Sequence, residues 1–514
     1  MKKSNLNHFY ITTPIFYPNG EPHIGHAYNA ISSDCIARFE RLKGNKVLFV
    51  SGTDEHGLKM QQTAEKQGLT PQQLADKNSA VFEKMLQDLN CSNDDFIRTT
   101  QTRHHEACAA LWQKMLKNGD IYQDSYKGWY SVRQESYYDE ADTILLEDGS
   151  RVEKELNSPV IWNEEESYFF RLSNYQEKLL KYYDENPSFI KPIERFNEIY
   201  NFVKSGLKDL SISRTSFNWG INVPNDDTHI MYVWVDALTN YLTATGFPHD
   251  SDKNIFWPAN LHVIGKDIIR FHAVYWPAFL LSAGIELPKR IFAHGFLLHQ
   301  GEKMSKSLGN VISPFDLINK YGLDQVRYFF MREVPFGQDG SYSAETIVNR
   351  INADLSNDLG NLVNRCLTLV VKNFDNKTPN QYVLKPQDER LFAFAKEQFD
   401  TVELFMDEQQ INRCLQAVFA VVSAANKYFA NEAPWILKNT DKERFATVLY
   451  NTLEILRRIA IILQPFIPTS AEKLLNMLAI EKHQRGFRDI SSHSIQAGKQ
   501  LPKTEVLFPR YLND

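Results

Sequence analysis

The sequence predicts a parallel α/β domain, interrupted by a mixed α/β insertion and followed by an all-α helical bundle. In the first part of the chain, short β-rich stretches alternate with helical stretches, which is typical of βαβ units in a parallel sheet. From about Ser343 onward, apolar residues recur at helical spacing, as at Leu449, Leu453, Leu456 and Ile459. A chain of 514 residues is long enough for about three domains.

The first βαβ unit occupies the N-terminal part of the chain. HFYITT (8–13) reads as a strand, and a turn-rich segment follows it. Pro22 suits the first turn of a helix, which we expect to continue to about Leu42 and to end at Gly44. KVLFVSGTD (46–54) then predicts a buried parallel strand. This unit predicts a Rossmann-like, nucleotide-type sheet.

The α/β pattern returns after a middle region rich in Tyr, Trp and Glu. LHVIG (261–265) predicts a strand, Asp267 to about Ser282 a helix, and RIFAHGFLLH (290–299) one further strand. We therefore divide the chain into residues 1–118 (first half of the Rossmann-like domain), 119–225 (connective insertion), 226–342 (second half of the Rossmann-like domain) and 343–514 (helical domain).

Composition excludes several classes of protein. The net charge of −6 gives no global basic signature, so nucleic-acid binding would need a local basic face. The five cysteines form no C-x-x-C pair, which argues against a disulfide framework and a cysteine-rich zinc knuckle. No apolar core follows the N-terminal lysines, and the longest apolar stretches are too short to span a bilayer. We expect a cytoplasmic protein that does not enter a membrane.

Two histidines mark the start of the first helix, in EPHIGHAYN (21–29). His23 and His26 are three residues apart, so both rings face the same side near a helix N-terminus, which attracts phosphate. Gly25 between them allows a flat ring to approach the backbone. Alone, the pair could equally be one buried and one solvated histidine.

A second motif, GEKMSKSLGN (301–310), places Lys303 and Lys306 in a loop between glycines. A charged surface loop is the alternative for this stretch alone. Together and in this order, the two motifs resemble the signature sequences of class I aminoacyl-tRNA synthetases. The resemblance implies that His23, His26, Lys303 and Lys306 act on ATP, with the lysines on its β- and γ-phosphates. It also implies Mg²⁺ on the pyrophosphate oxygens.

Longer stretches resemble the family of these synthetases that charges tRNA with methionine. They include ITTPIFYPNGEPHIGHAYN, SGTDEHGLK, YVWVDALTNYL, HVIGKDIIRFH and NEAPW, and the resemblance covers nearly the whole chain. It implies that methionine reacts with ATP to form methionyl-adenylate and is then transferred to the 3′ end of initiator and elongator tRNA(Met). The implied ATP-binding residues are Gly25, Gly265, Asp267 and Ser305.

The candidate methionine site combines one carboxylate with an aromatic and apolar wall. Asp54 follows the second strand, where it could pair with a substrate ammonium; the alternative is a helix cap or loop carboxylate. Trp234, Ala237 and Tyr241 share one helix face, which suits a polarizable thioether, although core packing would also explain Trp234 and Tyr241. The resemblance implies a site formed by Ile15, Tyr17, Asp54, Trp234, Ala237, Leu238, Tyr241, Ile268 and His272. Leu238 departs from members that carry proline there.

The resemblance assigns anticodon recognition to the helical domain. Asn361 and Arg365 are one helical turn apart, and Trp435 offers a plane on which an unstacked base could lie. The alternatives are a plain surface arginine and a tryptophan that anchors the core. We expect a monomer, because the extra C-terminal module of some relatives is absent.

Besides Leu238, the lack of cysteines in the insertion is a second departure from the family pattern. Many members carry cysteine pairs in the insertion, but YKGWYSVRQESYYDEADTILLEDGS (126–150) has none. We therefore predict no zinc, and a knuckle held by packing around Trp129 and Tyr130.

Three other functions stay open: another class I synthetase of similar length, a silent tRNA-binding paralogue, and a small-molecule adenylyltransferase.

Overall fold

The structure is a computed structural model that describes residues 7–131, 136–299, 302–303 and 311–511. Its α-helices are α1 Ile24–Lys43, α2 Leu58–Lys66, α3 Pro71–Asp88, α4 Thr102–Lys117, α5 Gln176–Glu185, α6 Ile193–Lys204, α7 Val233–Thr243, α8 Trp276–Ala283, α9 Pro314–Tyr321, α10 Leu323–Glu333, α11 Ala344–Arg350, α12 Asn361–Asn373, α13 Pro386–Asp407, α14 Ile411–Glu432, α15 Pro434–Thr440, α16 Lys442–Leu463, α17 Pro468–Met477 and α18 Asp489–Ser492. Its strands are β1 His8–Thr12, β2 Lys46–Thr53, β3 Asp95–Arg98, β4 Ile121–Ser131, β5 Ser136–Tyr138, β6 Thr143–Leu145, β7 Arg151–Glu153, β8 Pro159–Phe170, β9 Ile190–Lys191, β10 Leu210–Ser211, β11 Ser213–Arg214, β12 Asn222–Val223, β13 Asp226–Met231, β14 Leu261–Gly265, β15 Ile291–His294, β16 Leu297–His299, β17 Glu302–Lys303 and β18 Gly340–Tyr342.

A six-stranded sheet with the order β3-β2-β1-β14-β15-β9 forms the centre of the α/β part. Its β1–β14, β14–β15 and β2–β3 pairs are parallel, with Ile11 opposite Leu261 and Val263 opposite Phe292. The strands read as near-continuous apolar runs because both faces of a parallel sheet are covered. The predicted fold class, a parallel sheet with a mixed insertion and a helical C-terminal domain, is confirmed.

The insertion folds mainly into an antiparallel sheet, but it also contributes to the central one. Strands β4 and β8 pair over a long register from Ile121–Phe170 to Tyr130–Ile161, and β5, β7 and β6 extend this sheet. Strand β9 instead pairs in parallel with β15, Ile190 opposite Ile291, at the edge of the central sheet. Two residues are too short a strand for the sequence pattern to reveal this return.

The single strand predicted over residues 290–299 is wrong, because the chain breaks there into β15 and β16. A Cβ atom at Gly295 would lie 2.3 Å from the backbone of Gln338, so only glycine fits this close approach. Strand β16 joins a separate small sheet, antiparallel to β17 and parallel to β18. The run of apolar residues looks continuous in sequence because both strands are apolar.

Two predicted helices begin or continue differently from expectation. Helix α1 starts at Ile24 with His23 as its N-cap, so Pro22 lies before the cap rather than in the first turn. Its end is as predicted, since Gly44 takes a left-handed conformation at the C-cap. The helix predicted from Asp267 to Ser282 is a succession of a 3-10 turn, a π-helical segment over Phe271–Tyr275, and α8.

The chain forms two compact units that interleave in sequence. One contains residues 8–22 and 48–294, and the other residues 1–7, 23–47 and 295–514. The first unit holds the central sheet and the insertion, and its largest core cluster includes Trp112, Phe279 and Trp276.

The second unit holds α1 and the helical domain. The buried Arg327 guanidinium contacts Asp34 of α1 at 2.7 Å and also donates to the carbonyls of Pro465 and Phe466. A charge buried in this way is compensated by its carboxylate partner and by hydrogen bonds. Ser343, where we predict the start of the helical domain, caps α11 by accepting from the Thr346 backbone N–H, and the domain boundary itself stays a prediction. Within the described residues, no helix is both long enough and apolar enough to cross a bilayer.

Candidate active site

The two histidines of the first motif lie against each other at the start of α1. Their ring centroids are 3.8 Å apart, and the two ring planes are nearly parallel. The Gly25 backbone N–H donates to Nδ1 of His23 at 3.0 Å, and the His23 backbone N–H donates to Nδ1 of His26 at 3.1 Å. Because each Nδ1 accepts, the neutral form of each ring carries its proton on Nε2. Both rings can therefore present a donor suited to a phosphate oxygen.

Gly25 makes this arrangement possible. A Cβ atom at this position would lie 2.8 Å from the His23 ring, which is closer than real Cβ contacts allow. The glycine therefore admits a flat ring against the backbone, although the ring is that of the neighbouring His23. Any substitution at Gly25 would displace the His23 ring and break the two hydrogen bonds that cap the start of α1.

The start of α1 is bonded to the segment that follows the lysine loop. The Ile24 backbone N–H donates to the Ile312 carbonyl at 3.0 Å. Lys303 lies in β17, with its backbone opposite Leu298 of β16. Ser305 and Lys306 lie outside the described residues, so their predicted roles stay predictions. Both ends of this hydrogen bond belong to the same unit.

The predicted methionine wall is a hydrogen-bonded network in the other unit. The Tyr241 hydroxyl lies 2.7 Å from Nε2 of His272, and Nδ1 of His272 lies 3.0 Å from the Ile268 carbonyl. A carbonyl can only accept, so Nδ1 carries the proton and Nε2 accepts from the tyrosine. The Tyr241 ring also stacks on His262 at 4.1 Å.

Burial keeps this network uncharged. Desolvation lowers the pKa of His272 to about 4, against a smaller opposing effect of its bond to the Ile268 carbonyl. Burial likewise lowers the pKa of His262 well below its ordinary value and raises the pKa of Tyr241. At neutral pH the wall therefore consists of a phenol and two neutral imidazoles, which suits a thioether without offering it a charge.

The remaining wall residues lie on α7. Ala237, Leu238 and Tyr241 of α7 are almost fully buried. Trp234 is half-buried and stacks on Phe271, with ring centroids 3.8 Å apart and planes 10° from parallel. Its ring also meets His272 edge-on at 6.0 Å. The structure thus groups Trp234, Tyr241, Ile268 and His272, whereas the sequence offered two separate pairs.

Asp54 lies in a loop that the structure holds firmly. Its backbone N–H donates to the Phe16 carbonyl at 2.9 Å, and its side chain is buried. The preceding stretch supplies half-buried Ile15 and Tyr17, and the Tyr17 ring lies under the Lys59 ammonium at 5.4 Å. The loop carboxylate is therefore placed at the end of β2, as predicted.

A buried carboxylate next to the wall was missed at the sequence level. Asp236 of α7 contacts Nδ1 of His56 at 2.6 Å and Nε2 of His104 at 2.8 Å. Burial would raise its pKa, but the two histidines outweigh that effect and hold the pKa well below its usual range. The one sequence signal for this carboxylate is an acidic residue inside the apolar run VWVDAL (233–238), and that run does not identify its partners.

The turn that carries two of the predicted ATP-binding residues follows β14. Gly265 is half-buried and Asp267 is exposed. A Cβ atom at Gly265 would lie 2.5 Å from an Asp267 carboxylate oxygen, so the turn folds this carboxylate back over the glycine. An exposed carboxylate beside a bare backbone suits hydroxyl groups of a sugar.

The predicted anticodon residues lie on the helical domain. Asn361 is exposed at the first turn of α12, and Arg365 follows one turn later. The Arg365 guanidinium lies 5.3 Å from the Trp435 ring centroid and 5.1 Å from that of Phe429. Trp435 is 42% exposed at the start of α15 and is therefore not a core anchor.

Aromatic and cation–π contacts fill the position of the predicted knuckle. The Trp129 ring meets Trp162 edge-on at 5.3 Å, and the Arg151 guanidinium lies 4.7 Å from the Trp129 ring centroid. Tyr130 is buried and packs against Tyr137 at 4.8 Å. Within the described residues, the metal-compatible cluster is formed elsewhere, by His104, Cys108 and Asp236. The insertion thus shows aromatic packing where the resemblance would place a zinc knuckle, and the absence of zinc stays a prediction.

Comparison with known families agrees with this geometry. A family model described as tRNA synthetases class I (M) matches residues 9–367, and a model for the anticodon binding domain of methionyl tRNA ligase matches residues 378–514. The fold and the site thus define a class I tRNA synthetase. Together the two models cover nearly all of the chain, from the first strand to its last residue.

Individual relatives narrow the class. Methionine–tRNA ligase of Mesorhizobium japonicum is 60% identical over 506 residues, which are 98% of each chain. The solved structure of Mycobacterium tuberculosis methionyl-tRNA synthetase in complex with methionyl-adenylate superimposes with a TM-score of 0.96 at 53% identity, covering 98% of this chain and 100% of that one. Its apo form gives 0.90 at 49% identity, covering both chains fully. The chain belongs to the methionine–tRNA ligase family.

Proposed function

We infer that the protein is an ATP-dependent ligase that joins methionine to tRNA. The observation that carries this inference is that one chain matches both the class I catalytic region and the methionyl anticodon-binding domain. A relative at 53% identity is described in complex with methionyl-adenylate, the activated intermediate of such a reaction. A short adenylyltransferase would have no anticodon-binding domain, and a silent paralogue would be expected to have lost His23, His26 or Lys306, which are all present.

The reaction has two steps. A carboxylate oxygen of methionine attacks the α-phosphorus of ATP, the bond to the bridging oxygen breaks, and pyrophosphate leaves. The 3′-terminal hydroxyl of tRNA then attacks the methionyl carbonyl, and AMP leaves. No nucleophile of the protein is required, so positioning and charge stabilisation supply the catalysis.

We assign the triphosphate of ATP to the two signature motifs. His23 and His26 present Nε2–H donors at a helix start, which suits phosphate oxygens. Lys303 and Lys306 would take the β- and γ-phosphates, where negative charge grows as pyrophosphate leaves. ATP is expected as its Mg²⁺ complex, which neutralises part of the same charge. Gly265, Asp267 and Ser305 would contact the nucleoside and the phosphates.

Methionine is assigned to the wall and the loop described above. The Asp54 carboxylate would pair with the ammonium group, and Trp234 and Tyr241 would enclose the thioether. Because the wall holds neutral imidazoles and a phenol, it selects by shape and by polarizable contact rather than by charge. Ile15, Tyr17, Ala237, Leu238, Ile268 and His272 would complete the site.

The remaining assignments are also proposals. Asn361, Arg365 and Trp435 would read the anticodon of initiator and elongator tRNA(Met). We propose that the protein acts in the cytoplasm as a monomer. We also propose that it holds no zinc, since aromatic packing fills the part of the insertion where a metal knuckle would lie. We retain the division at residues 118, 225 and 342 as a proposal for the domain boundaries.

Pyrophosphate–ATP exchange without tRNA, across the twenty amino acids, tests the activating step. We expect exchange with methionine alone, and exchange with another amino acid instead would mean that the wall has been misassigned. Metal analysis of the same sample tests the proposal that zinc is absent. Charging of initiator and elongator tRNA(Met) transcripts then tests the second step, and failure of charging with normal exchange would overturn the tRNA assignment.

A further inference from the structure

The loop that carries Asp54 is held on one side by its neighbour Glu55. The Glu55 carboxylate accepts from Thr53, from Ser79, from the Arg98 guanidinium at 2.6 Å and from Thr100 at 2.5 Å. These donors belong to β2, α3, β3 and the turn after it. One fully buried carboxylate therefore fastens the loop to the sheet and the helix on that side.

The other side of the same loop is held by His56. Nδ1 of His56 lies 2.6 Å from Asp236, and both side chains are almost fully buried. The His56 ring also meets Trp219 edge-on at 5.2 Å, which fixes its plane. Asp236 stands on α7 between Trp234 and Ala237, the first two residues of the predicted methionine wall.

Asp236 is itself anchored from behind. Nε2 of His104 on α4 contacts its other carboxylate oxygen at 2.8 Å, and Nδ1 of the same ring lies 2.9 Å from the Thr243 hydroxyl at the end of α7. His104 therefore contacts α7 at two residues, Asp236 and Thr243, which are seven positions apart. The carboxylate joins the Asp54 loop, α7 and α4 in a single buried chain of hydrogen bonds.

We propose that the His56–Asp236–His104 chain is a positioning device that sets the separation between the Asp54 carboxylate and the α7 wall. The ammonium and the side chain of one methionine must reach both elements at once, so this separation determines how well the amino acid fits. None of the three residues needs to touch the substrate. The proposal rests on the methionine site described under the proposed function.

A metal ion is the competing explanation for the same residues. His104, Cys108 and Asp236 offer ligand atoms that all lie within 4.8 Å of one another. However, Nε2 of His104 already bonds to Asp236, and burial raises the pKa of the Cys108 thiol well above its ordinary value. A protonated thiol and an occupied imidazole are poor ligands, so the geometry favours direct hydrogen bonds.

A pair of substitutions at His56 tests the proposal. H56L introduces an apolar side chain of similar bulk and removes the donor to Asp236. H56N retains an N–H close to the position of Nδ1. We expect H56L to raise the KM for methionine about tenfold in pyrophosphate exchange, with the KM for ATP unchanged, because a buried bond to a charged group is lost. H56N should restore most of the wild-type KM.

D120N is the matched control for destabilisation. Asp120 is also a buried carboxylate of the same unit, bonded to Tyr175 at 2.5 Å and Ser282 at 2.7 Å, and it belongs to no part of the chain from His56 to His104. It should lower the Tm while leaving the KM for methionine within twofold of wild type. A general loss of stability would instead raise the KM for methionine in D120N and H56L alike, which would overturn the proposal.

Two further results separate this inference from the proposed function. If wild type exchanges with methionine and D54A loses affinity, but the KM of H56L stays within twofold of wild type, the positioning role is wrong and the function stands. If the purified protein holds one equivalent of zinc that C108A loses, the three elements are joined by a metal and the hydrogen-bonded device is wrong. No exchange with any amino acid in wild type would overturn the function itself.

Discussion

The predicted methionine wall and the predicted anticodon surface use aromatic residues in opposite ways. In the wall, Tyr241 is buried and bonded to His272, and Trp234 is covered by Phe271. On the helical domain, Trp435 is 42% exposed and its neighbour is the flexible Arg365 side chain at 5.3 Å. The side chains of the wall are already held by one another, whereas the Trp435 ring on the helical domain is partly exposed to solvent.

The size and flexibility of the two proposed ligands explain this difference. A small amino acid offers few contacts, so the protein must hold every group in place before binding to avoid an ordering cost. An anticodon loop brings its own bases, which need an accessible plane on which to stack. Substitutions in the wall should therefore affect both steps of the reaction, and those on the helical surface only the step that uses tRNA.

The largest expected effect is at Asp54. D54A should raise the KM for methionine by roughly a hundredfold or more, because it removes the charge partner of a largely desolvated ammonium group. Exchange and charging should suffer alike, and the KM for ATP should change little. A normal methionine KM in D54A would mean that this buried carboxylate is structural and would remove the contrast between the regions.

The second effect concerns the neutral state of His272. An unfolded histidine binds a proton near pH 6.5, whereas the pKa of folded His272 is about 4. Between these values the unfolded chain binds more protons, so stability is full above about pH 6.5 and falls as the pH is lowered toward 4. The full effect corresponds to about 3 kcal/mol.

We expect the Tm of H272Q to fall less steeply than that of wild type over this pH range. Differential scanning calorimetry at matched ionic strength measures both curves. Parallel curves would show that folded His272 takes up its proton at the same pH as an unfolded histidine, and the wall would then carry a charge below about pH 6.5. H483Q, which removes a histidine from a short 3-10 turn in the other unit, is a control that should parallel wild type.

The third effect separates the two regions directly. W435A should lower kcat/KM for tRNA charging about tenfold or more, the effect of losing one base-stacking plane, while pyrophosphate exchange stays unchanged. Y382A is the matched control, because Tyr382 lies in the same unit and is similarly exposed at 43%. Equal losses in exchange and charging for W435A would show that Trp435 supports the fold.

The smallest effect is expected at Arg365. R365K keeps the charge but loses the planar guanidinium that lies over the Trp435 and Phe429 rings. We expect a decrease of about two- to fivefold in kcat/KM for tRNA, in line with an exposed cation–π contact. A loss as large as that of W435A would instead indicate that Arg365 contacts a base itself.

Local patterns were sufficient for several strands of the central sheet, for α1 and for the helical character of the C-terminal part. The strands at residues 8–12, 46–53 and 261–265 and the capped start of α11 at Ser343 follow from apolar runs and cap residues within a few positions. The same is true of the face of α7 that carries Ala237 and Tyr241, because helical spacing alone places them together. These features depend on neighbours in the chain, which the sequence displays directly.

Other features depend on groups that are distant in the chain. The break at Gly295 is imposed by the backbone of Gln338, and the two-residue strand β9 forms only because β15 offers it an edge. Asp236 reads as an ordinary polar residue until folding brings His56 and His104, separated from it by 180 and 132 positions, to its two oxygens. Burial opposes the charge of Asp236 and these two histidines stabilise it, and no local pattern encodes which partners they are.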